Sequence, residues 1–183
     1  LNYKYNRKDL ELTFEDLNFR LNCEADIKMS EALDSTISKM EQHIGRETQH
    51  YLPKELSVVR SIPGIGNIIG LLIVLEIGDI NRFDTVQQFS SYCRLVKCAH
   101  ESAGKKHGHG NKKIGNAYLK WAFSEAACLL IKSSEKAKKF KARAERRHGS
   151  AKALSLLAHR IGRCVFAMLK KEMVFDEDKC FGR

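Results

Sequence analysis

A loop rich in lysine and glycine holds the side chains whose types and spacing could do chemistry. It runs from residue 94 to residue 115 with the sequence RLVKCAHESAGKKHGHGNKKIG, and it carries five lysines and four glycines. Ser102 lies within it, next to Glu101 and two residues before Gly104. A serine that attacks a phosphate needs exposure, cations near the developing charge and a group that accepts its proton. Ser102 is therefore a candidate catalytic nucleophile, although a lone loop serine more commonly only caps or solvates.

The same loop contains residue types that bind zinc. Cys93, Cys98, His100, His107 and His109 follow the spacing C-x4-C-x-H-x6-H-x-H. This spacing differs from the common zinc signatures, in which ligands come in short C-x2-4-C and H-x3-5-H pairs. Histidines in a glycine and lysine loop are more commonly just polar, so a zinc-stabilised loop is the weakest interpretation of this stretch.

The acidic residues of the central region do not form pairs in the sequence. A metal-dependent hydrolase or nuclease needs carboxylates gathered on rigid elements, and no recognisable pair occurs among Glu76, Asp79, Asp84, Glu101 and Glu125. We therefore expect no cofactor in this chain.

The excess positive charge is concentrated in one part of the chain. The net charge is +10, and residues 97 to 147 contain 14 Lys and Arg against 4 Asp and Glu. Such a field favours a nucleic-acid backbone as partner, through counterion release and steering; a merely solvated helix face is the alternative. The predicted phosphate contacts form two groups. The group beside Ser102 consists of Lys105, Lys106, Lys112 and Lys113. The group on a basic helix consists of Lys136, Lys138, Lys139, Lys141, Arg143, Arg146 and Arg147.

A glycine-containing turn upstream offers a further phosphate contact. The sequence SIPGIGN places Pro63, Gly64 and Gly66 between two apolar segments. Glycines leave backbone N–H groups uncovered, and the first N–H groups of a helix have no internal partner. The pattern predicts a helix-hairpin-helix that grips nucleic acid through Gly64 and Gly66. An ordinary helical-hairpin turn is equally compatible with the motif.

The elements that would position these residues are nearly all helices. We predict a mainly α fold, with a coiled-coil arm followed by a helical domain that contains the helix-hairpin-helix-like turn and the basic loop, in which a short β pair is allowed. The coiled-coil pattern rests on Leu33, Ile37, Met40 and Ile44, at spacings of 4, 3 and 4. The predicted divisions are a linker or truncated domain edge (1–22), a coiled-coil helix (23–52), a helical domain (53–175) and a frayed tail (176–183).

Local signals set the helix bounds inside the domain. We predict helices over 54–60, 67–77, a short one up to residue 92 with Asp84 or Thr85 as N-cap, 116–133, a basic one after Ser134, and 150–173. Trp121 and Phe123 are both expected in the core rather than on a stacking surface.

Composition indicates a cytoplasmic protein without membrane association. The chain has 183 residues, 43% of them hydrophobic, and its apolar run around residues 68–75 is far too short to span a bilayer. Six cysteines without any C-x-x-C motif are expected to be reduced and mostly buried. The first residue is Leu rather than Met, so we expect a fragment or a degenerate copy.

Several sequence blocks occur in a distinctive order. SIPGIG is followed by GDI-x-RF, then FSSYCRLV, then ESAGKK-x-G-x-GNKKIGN-x-YLKWAFSEAA. Over about residues 58–173 this order resembles the C-terminal domain of insertion-sequence transposases of the IS-one-ten type. The helix and irregular stretch before it also resemble that family's link between its two halves.

The resemblance implies a recombinase that excises and inserts a mobile DNA element. In that family a RuvC-like N-terminal domain supplies four acidic residues that bind a divalent metal, and the C-terminal domain supplies a serine that attacks DNA and holds the strand covalently. Carried to this sequence, the serine is Ser102, with Ser90 and Ser91 as weaker substitutes; Ala103 separates it from Gly104, where the family usually has Ser-Gly. Some members use a guide RNA.

The chain shows no strand-rich, acid-bearing segment of that kind. We therefore expect Mg²⁺ only together with an N-terminal half, and we expect this chain alone to bind DNA, with a guide RNA as a further partner, without cleaving it. The coiled-coil helix predicts a homo-oligomer. The alternative function is a non-enzymatic helix-hairpin-helix nucleic-acid-binding module with a dimerisation helix.

Overall fold

The structure is a computed structural model that describes residue 7 and residues 10–96, 99–102, 105–109 and 114–182. For residue 11 and for the segments 99–102 and 105–109 it describes the backbone alone. The predicted mainly α fold is confirmed for the described residues, which also include one short two-stranded sheet. The chain divides into an N-terminal unit, residues 1–46, and a C-terminal unit, residues 47–183.

The N-terminal unit consists of a 3-10 turn and a long helix. The turn spans Leu10–Thr13, and helix α1 spans Leu17–Tyr51, so that its last residues belong to the C-terminal unit. The helix begins six residues before the predicted start at residue 23. The Asp16 carboxylate explains the earlier start, because it accepts a hydrogen bond from the Asn18 N–H at 2.7 Å and so satisfies a donor of the first turn.

Two faces of α1 differ in burial within the N-terminal unit. One face carries Cys23, Ile27, Ser30 and Asp34, which are half-buried. The Arg7 guanidinium binds the Asp34 carboxylate at 2.7 Å on this face. These four positions recur every three or four residues and therefore form one stripe of the helix.

The side chains at the predicted coiled-coil positions are exposed to solvent. Leu33 is 56% exposed, Ile37 50%, Met40 61% and Ile44 43%. Within the N-terminal unit, a continuous apolar seam therefore faces solvent along about two heptads of α1.

The C-terminal unit contains the remaining helices and the two strands. Pro53 follows the end of α1 as predicted and occupies the first turn of the next helix. The elements are α2 (Pro53–Arg60), α3 (Asn67–Ile77), α4 (Val86–Tyr92), β1 (Ala99–Ser102), β2 (Lys105–His109), α5 (Ala117–Ser133), α6 (Glu135–His148), α7 (Ser150–Lys171) and α8 (Glu177–Phe181). A 3-10 turn spans Ile80–Arg82.

Helix α7 lies at the centre of this unit and packs against α2, α4, α5 and α6. Its buried stripe meets the buried faces of α3 and α5 in one apolar core. Phe89 of α4 is fully buried, and its ring lies 5.3 Å from Phe83, 6.2 Å from Phe123 and 5.5 Å from Phe166. This aromatic cluster fixes α4 against α5 and α7, and thereby fixes the point where the basic loop leaves α4.

The C-terminal residues are packed, which corrects the expectation of a frayed tail. Asp176 caps α8 by accepting hydrogen bonds from the Asp178 and Lys179 N–H groups, and Cys180 and Phe181 are buried. Cys180 forms a disulfide with Cys164 of α7, which corrects the expectation that all the thiols are reduced. The sequence spacing of these cysteines gave no signal, because the bond depends on α8 folding back onto α7.

None of the helices in the described part of the chain combines the length and hydrophobicity that a bilayer crossing needs.

Candidate nucleic-acid interface

The predicted nucleophile lies on a β-hairpin within the basic loop. Strands β1 and β2 are antiparallel, with Ser102 opposite Lys105 and Glu101 opposite Lys106, and the pairing is irregular between Ala99 and Glu101. The allowed β pair is therefore present, and the backbone register brings Ser102 and two of the predicted cationic residues to the same end of one hairpin. The turn between the strands, and the predicted contacts Lys112 and Lys113, lie outside the described residues.

The two chain segments that flank the hairpin are tied together. The Asn116 N–H donates to the Tyr92 carbonyl at 2.6 Å. The Arg94 Nε donates to the carbonyls of Ile114 and Gly115 at 3.0 and 2.9 Å. We call these contacts the hairpin clamp, formed by Tyr92, Arg94, Ile114, Gly115 and Asn116.

Gly115 is required by the geometry of the clamp. Its φ is +93°, and a Cβ added there would lie 2.7 Å from the Tyr92 carbonyl oxygen and 3.1 Å from the Ser91 carbonyl oxygen. Only glycine accepts both the backbone conformation and the close approach of the two segments. The glycine therefore lets the end of the hairpin region return directly to the end of α4.

Asn116 connects the clamp to two helices. Its side-chain oxygen caps α5 by accepting from the Leu119 N–H at 2.9 Å, and its side-chain nitrogen donates to the Glu76 carboxylate of α3 at 2.5 Å. A helix over 116–133 was predicted from sequence. The bonds from Asn116 to Glu76 and from Arg94 to residues 114 and 115 were not, because no local pattern indicates contacts across 20 to 40 residues.

Of the serines weighed as nucleophiles, Ser90 does not fit. Its residue is 2% exposed, and its hydroxyl has no hydrogen-bond partner among the described residues. A hydroxyl enclosed in the aromatic core cannot reach a phosphodiester. Ser91 is half-buried on α4.

Helix α6 presents the second predicted group of cations, and the capping Ser134 is confirmed. Its hydroxyl accepts from the Ala137 N–H at 2.9 Å and also bonds the Glu177 carboxylate. Three of the lysines on α6 have acidic partners within the chain: Lys136 with Asp178, Lys138 with Glu135, and Lys141 with Glu145.

These three ion pairs shift the protonation equilibria of exposed groups. The hydrogen bond from Lys138 lowers the pKa of Glu135, and the hydrogen bond from Lys141 lowers the pKa of Glu145. The bond to Asp178 raises the pKa of Lys136. The Lys138–Glu135 pair is solvent-exposed and contributes little to stability, whereas the Lys141–Glu145 pair is half-buried.

The other four cations of α6 form one face, which we call the α6 stripe. Lys139, Arg143, Arg146 and Arg147 are exposed, at positions i, i+4, i+7 and i+8. Among the described residues no ion pair is found for any of the four. The stripe extends over about 12 Å of helix, a length suited to following a phosphate backbone.

The glycines of the α2–α3 turn have different surroundings. Gly64 has φ +91°, and a Cβ there would lie 2.8 Å from the Leu129 Cβ of α5. Gly64 therefore allows the turn to pack closely on α5. Gly66 is the N-cap of α3, with φ −84° and no described atom within 4 Å of an added Cβ.

The expectation that Trp121 belongs to the core is wrong. Phe123 is fully buried, as expected, but Trp121 is 50% exposed and Tyr118 is 64% exposed. Residue 121 projects from another side of the helix than the buried stripe of α5, which consists of Leu119, Ala122, Phe123, Ala126, Ala127 and Leu130. A helical wheel would have separated Trp121 from the stripe.

Of the predicted zinc ligands, the structure describes the side chain of Cys93 alone. Cys93 is buried, and burial raises the pKa of its thiol to about 12, which disfavours the thiolate that zinc needs. The side chains of Cys98, His100, His107 and His109 lie outside the described residues. Within the described part of the chain, no group of three or more His, Cys, Asp or Glu residues is placed to hold a metal ion.

Known proteins resemble this chain over the region that contains the hairpin and α6. Residues 56–143 match the family model described as Transposase IS116/IS110/IS902 family. A curated relative, the transposase for insertion sequence element IS1111A from Coxiella burnetii (strain RSA 493 / Nine Mile phase I), is 31% identical over 122 residues. The alignment covers 64% of this chain and 33% of the relative, so the chain spans about a third of that protein's length.

Proposed function

On the basis that residues 56–143 match the model of the IS116/IS110/IS902 family of transposases, we propose that this chain is the serine-bearing, DNA-binding part of a DNA-transposing recombinase. The observation that carries the proposal is the hairpin within the matched region. Its register brings Ser102 to the same end as Lys105 and Lys106, and α6 supplies a separate stripe of exposed cations.

Ser102 is the proposed nucleophile toward a DNA phosphodiester. The clamp supports this role, because it ties together, at α4 and α5, the two chain segments that flank the hairpin. Lys105 and Lys106 would stabilise the charge that develops on the phosphate, and Lys112 and Lys113 would extend the cationic region in the sequence.

The α6 helix is the proposed backbone-binding surface. Lys139, Arg143, Arg146 and Arg147 contact phosphates directly, and Lys136, Lys138 and Lys141 join them when their ion pairs open. The α2–α3 turn adds a secondary contact of helix-hairpin-helix type, in which the open N-terminus of α3 at Gly66 accepts a phosphate and Gly64 shapes the turn.

The chemistry of strand cleavage requires more than this chain. Cations beside a serine hydroxyl stabilise charge on the phosphate but do not take the hydroxyl proton, so Mg²⁺ held by an acidic N-terminal half is the proposed cofactor of the complete transposase. The chain by itself binds DNA, and a guide RNA where one is used, in the cytoplasm, without joining or cutting strands.

The exposed seam of α1 is the proposed contact between copies of the chain. Leu33, Ile37, Met40 and Ile44 follow the spacing of a two-stranded coiled coil and are all exposed at 43% or more. Ile37→Glu with Met40→Glu should convert an oligomer to a monomer in analytical ultracentrifugation, because it places charges in the seam. Met29→Glu with Glu31→Gln, off the seam on the same helix, serves as the control; a monomeric parent chain would refute the contact.

The decisive experiment uses the complete transposase with Ser102→Ala. We expect recombination of its mobile element to be lost while DNA binding is retained, because the substitution removes only a hydroxyl. Ser91→Ala, on half-buried α4, is the matched control and should recombine normally. Unchanged recombination with Ser102→Ala would overturn the assignment and favour a non-enzymatic binding module. Nicking of a cognate junction by this chain alone with Mg²⁺ would overturn its dependence on another domain.

A further inference from the structure

Two large aromatic side chains are exposed on the first turns of α5, next to the hairpin clamp. Tyr118 is 64% exposed and Trp121 is 50% exposed. They stand three residues apart and so are neighbours on the helix surface, with Cβ atoms about 5–6 Å apart. The opposite side of the same helix is fully buried through Leu119, Ala122 and Phe123. The helix is therefore held rigidly while it presents two aromatic rings to solvent.

The position of this aromatic pair links it to the candidate site. Asn116, which belongs to the clamp, caps the helix that carries both rings. Ile114, also in the clamp, is 60% exposed. The positive end of the α5 dipole also lies at this end of the helix. The exposed side chains of Ile114, Tyr118 and Trp121 are therefore all found near the clamp end of α5.

The cations near the clamp end of α5 favour a polyanion over an apolar protein segment. Arg94 lies in the clamp, and Lys120 is exposed on α5, about 100° around the helix from Trp121. Glu125 lies on the side of the rings, one turn beyond Trp121. In the sequence, Lys112 and Lys113 come shortly before Ile114. Aromatic rings among cations are the combination that holds single-stranded nucleic acid, because the rings stack on bases and the cations follow the backbone.

We infer that Tyr118 and Trp121 form a stacking platform for unpaired bases of DNA or RNA beside the serine hairpin. This inference rests on the proposed function. A base can offer its flat face to a side chain only where it has left a duplex stack. The platform is therefore specific for unpaired nucleotides, such as the opened strands that recombination produces, and it is indifferent to base identity because every base has a π-face.

The chain contains one tryptophan, so intrinsic tryptophan fluorescence reports on Trp121 directly. We would titrate the chain with a labelled unpaired DNA oligonucleotide, an RNA oligonucleotide of the same sequence and the corresponding DNA duplex. Oligonucleotide anisotropy measures binding independently. The expected result is quenching of Trp121 by unpaired strands and little change with the duplex; the stronger of the DNA and RNA signals identifies the source of the bases.

Variants separate stacking from electrostatic attraction. Trp121→Ala should weaken binding of the unpaired strand about 5- to 150-fold, while Trp121→Phe should keep most of the affinity. The dependence of affinity on salt should be unchanged in both, because stacking releases no counterions. Leu75→Ala removes a comparably exposed apolar side chain (49%) from α3 and should have no effect.

Three results would overturn the platform. If anisotropy shows binding while Trp121 fluorescence and the Trp121→Ala affinity stay unchanged, the rings do not stack on bases, although the proposed DNA-binding function stands. A concentration-dependent fluorescence shift of the chain alone would assign the rings to a protein contact. Absence of binding to every nucleic acid tested would refute the proposed function together with the platform.

Discussion

The substitution Gly115→Ala tests whether the hairpin clamp holds the serine hairpin in place. Gly115 has φ +93°, and the new Cβ would lie 2.7 Å from the Tyr92 carbonyl oxygen. That oxygen belongs to the backbone and already accepts the Asn116 N–H at 2.6 Å. The clash can therefore be relieved only by moving one chain segment of the clamp away from the other.

The expected cost has three sources. A non-glycine residue in the left-handed region costs about 1–2 kcal/mol. Breaking the Asn116 to Tyr92 hydrogen bond costs about 0.5–1.5 kcal/mol, and residual crowding about 1 kcal/mol. The total is about 2.5–4.5 kcal/mol, which raises the population of the open clamp about 70- to 2,000-fold.

Gly78→Ala is the matched control. Gly78 also has positive φ, +60°, but no described atom lies within 4 Å of an added Cβ. It therefore carries backbone strain without the clash, in a different region of φ and ψ because its ψ is −121°. The comparison that isolates the clash is accordingly the protection of the hairpin amides rather than the total free energy of unfolding.

Two measurements follow the effect of Gly115→Ala. Urea unfolding, monitored by Trp121 fluorescence and circular dichroism, gives the change in the free energy of unfolding. Amide hydrogen exchange across 99–109 reports the hairpin itself, which should lose protection with Gly115→Ala and keep it with Gly78→Ala. Equal effects of the two substitutions in both measurements would refute the idea that the close approach at Gly115 fixes the hairpin.

Three further predictions follow from other contacts. Ser134→Ala should lower the free energy of unfolding by about 1–2 kcal/mol, because the hydroxyl caps α6 and bonds Glu177; a change in urea unfolding below about 0.3 kcal/mol would contradict this. Burial, with the nearby Arg163 charge, lowers the pKa of His159. On acidification the unfolded chain therefore binds a proton at this side chain before the folded chain does, and the free energy of unfolding should fall as pH drops below about 6.5. His159→Gln should reduce this pH dependence in urea unfolding at pH 5 to 7, and an unchanged pH profile would contradict the prediction. At pH 8, iodoacetamide should label exposed Cys128 in the native chain but not buried Cys93, because burial raises the pKa of the Cys93 thiol to about 12. Peptide mass spectrometry identifies the labelled residues, and labelling of Cys93 in the native chain would contradict its burial.

Local signals in the sequence predicted most of the helices of the C-terminal unit. Thr85 and Ser134 were predicted from sequence at the starts of α4 and α6, and both act as N-caps, because capping depends on residues adjacent in sequence. The start of α1 was predicted less well, since no apolar period marks residues 17–23 and the helix is set there by the Asp16 cap.

Contacts between distant residues could not be predicted in this way. The bonds of Arg94 and Asn116 join segments 20 and 40 residues apart, and α8 is fixed by burial of Phe181 and by the Cys164–Cys180 disulfide. Ser102 was predicted in a basic loop in which a short β pair was allowed, and a helical wheel would have placed Trp121 outside the buried stripe of α5. The clamp between the segments that flank the hairpin became apparent only in three dimensions.

The central claim, that the α6 stripe binds a nucleic-acid backbone, is tested most directly by the salt dependence of DNA binding. The α6 variant replaces the four cations of the stripe by Gln: Lys139, Arg143, Arg146 and Arg147. It should reduce the slope of log K against log salt for duplex DNA by up to about 3.6, because each phosphate that is no longer neutralised removes about 0.9 from the slope. The control replaces four exposed cations elsewhere, Lys28, Lys39, Arg46 and Lys171, and therefore makes the same change in net charge. We predict a reduced slope for the α6 variant and an almost unchanged slope for the control, and equal slopes for the two variants would contradict the claim.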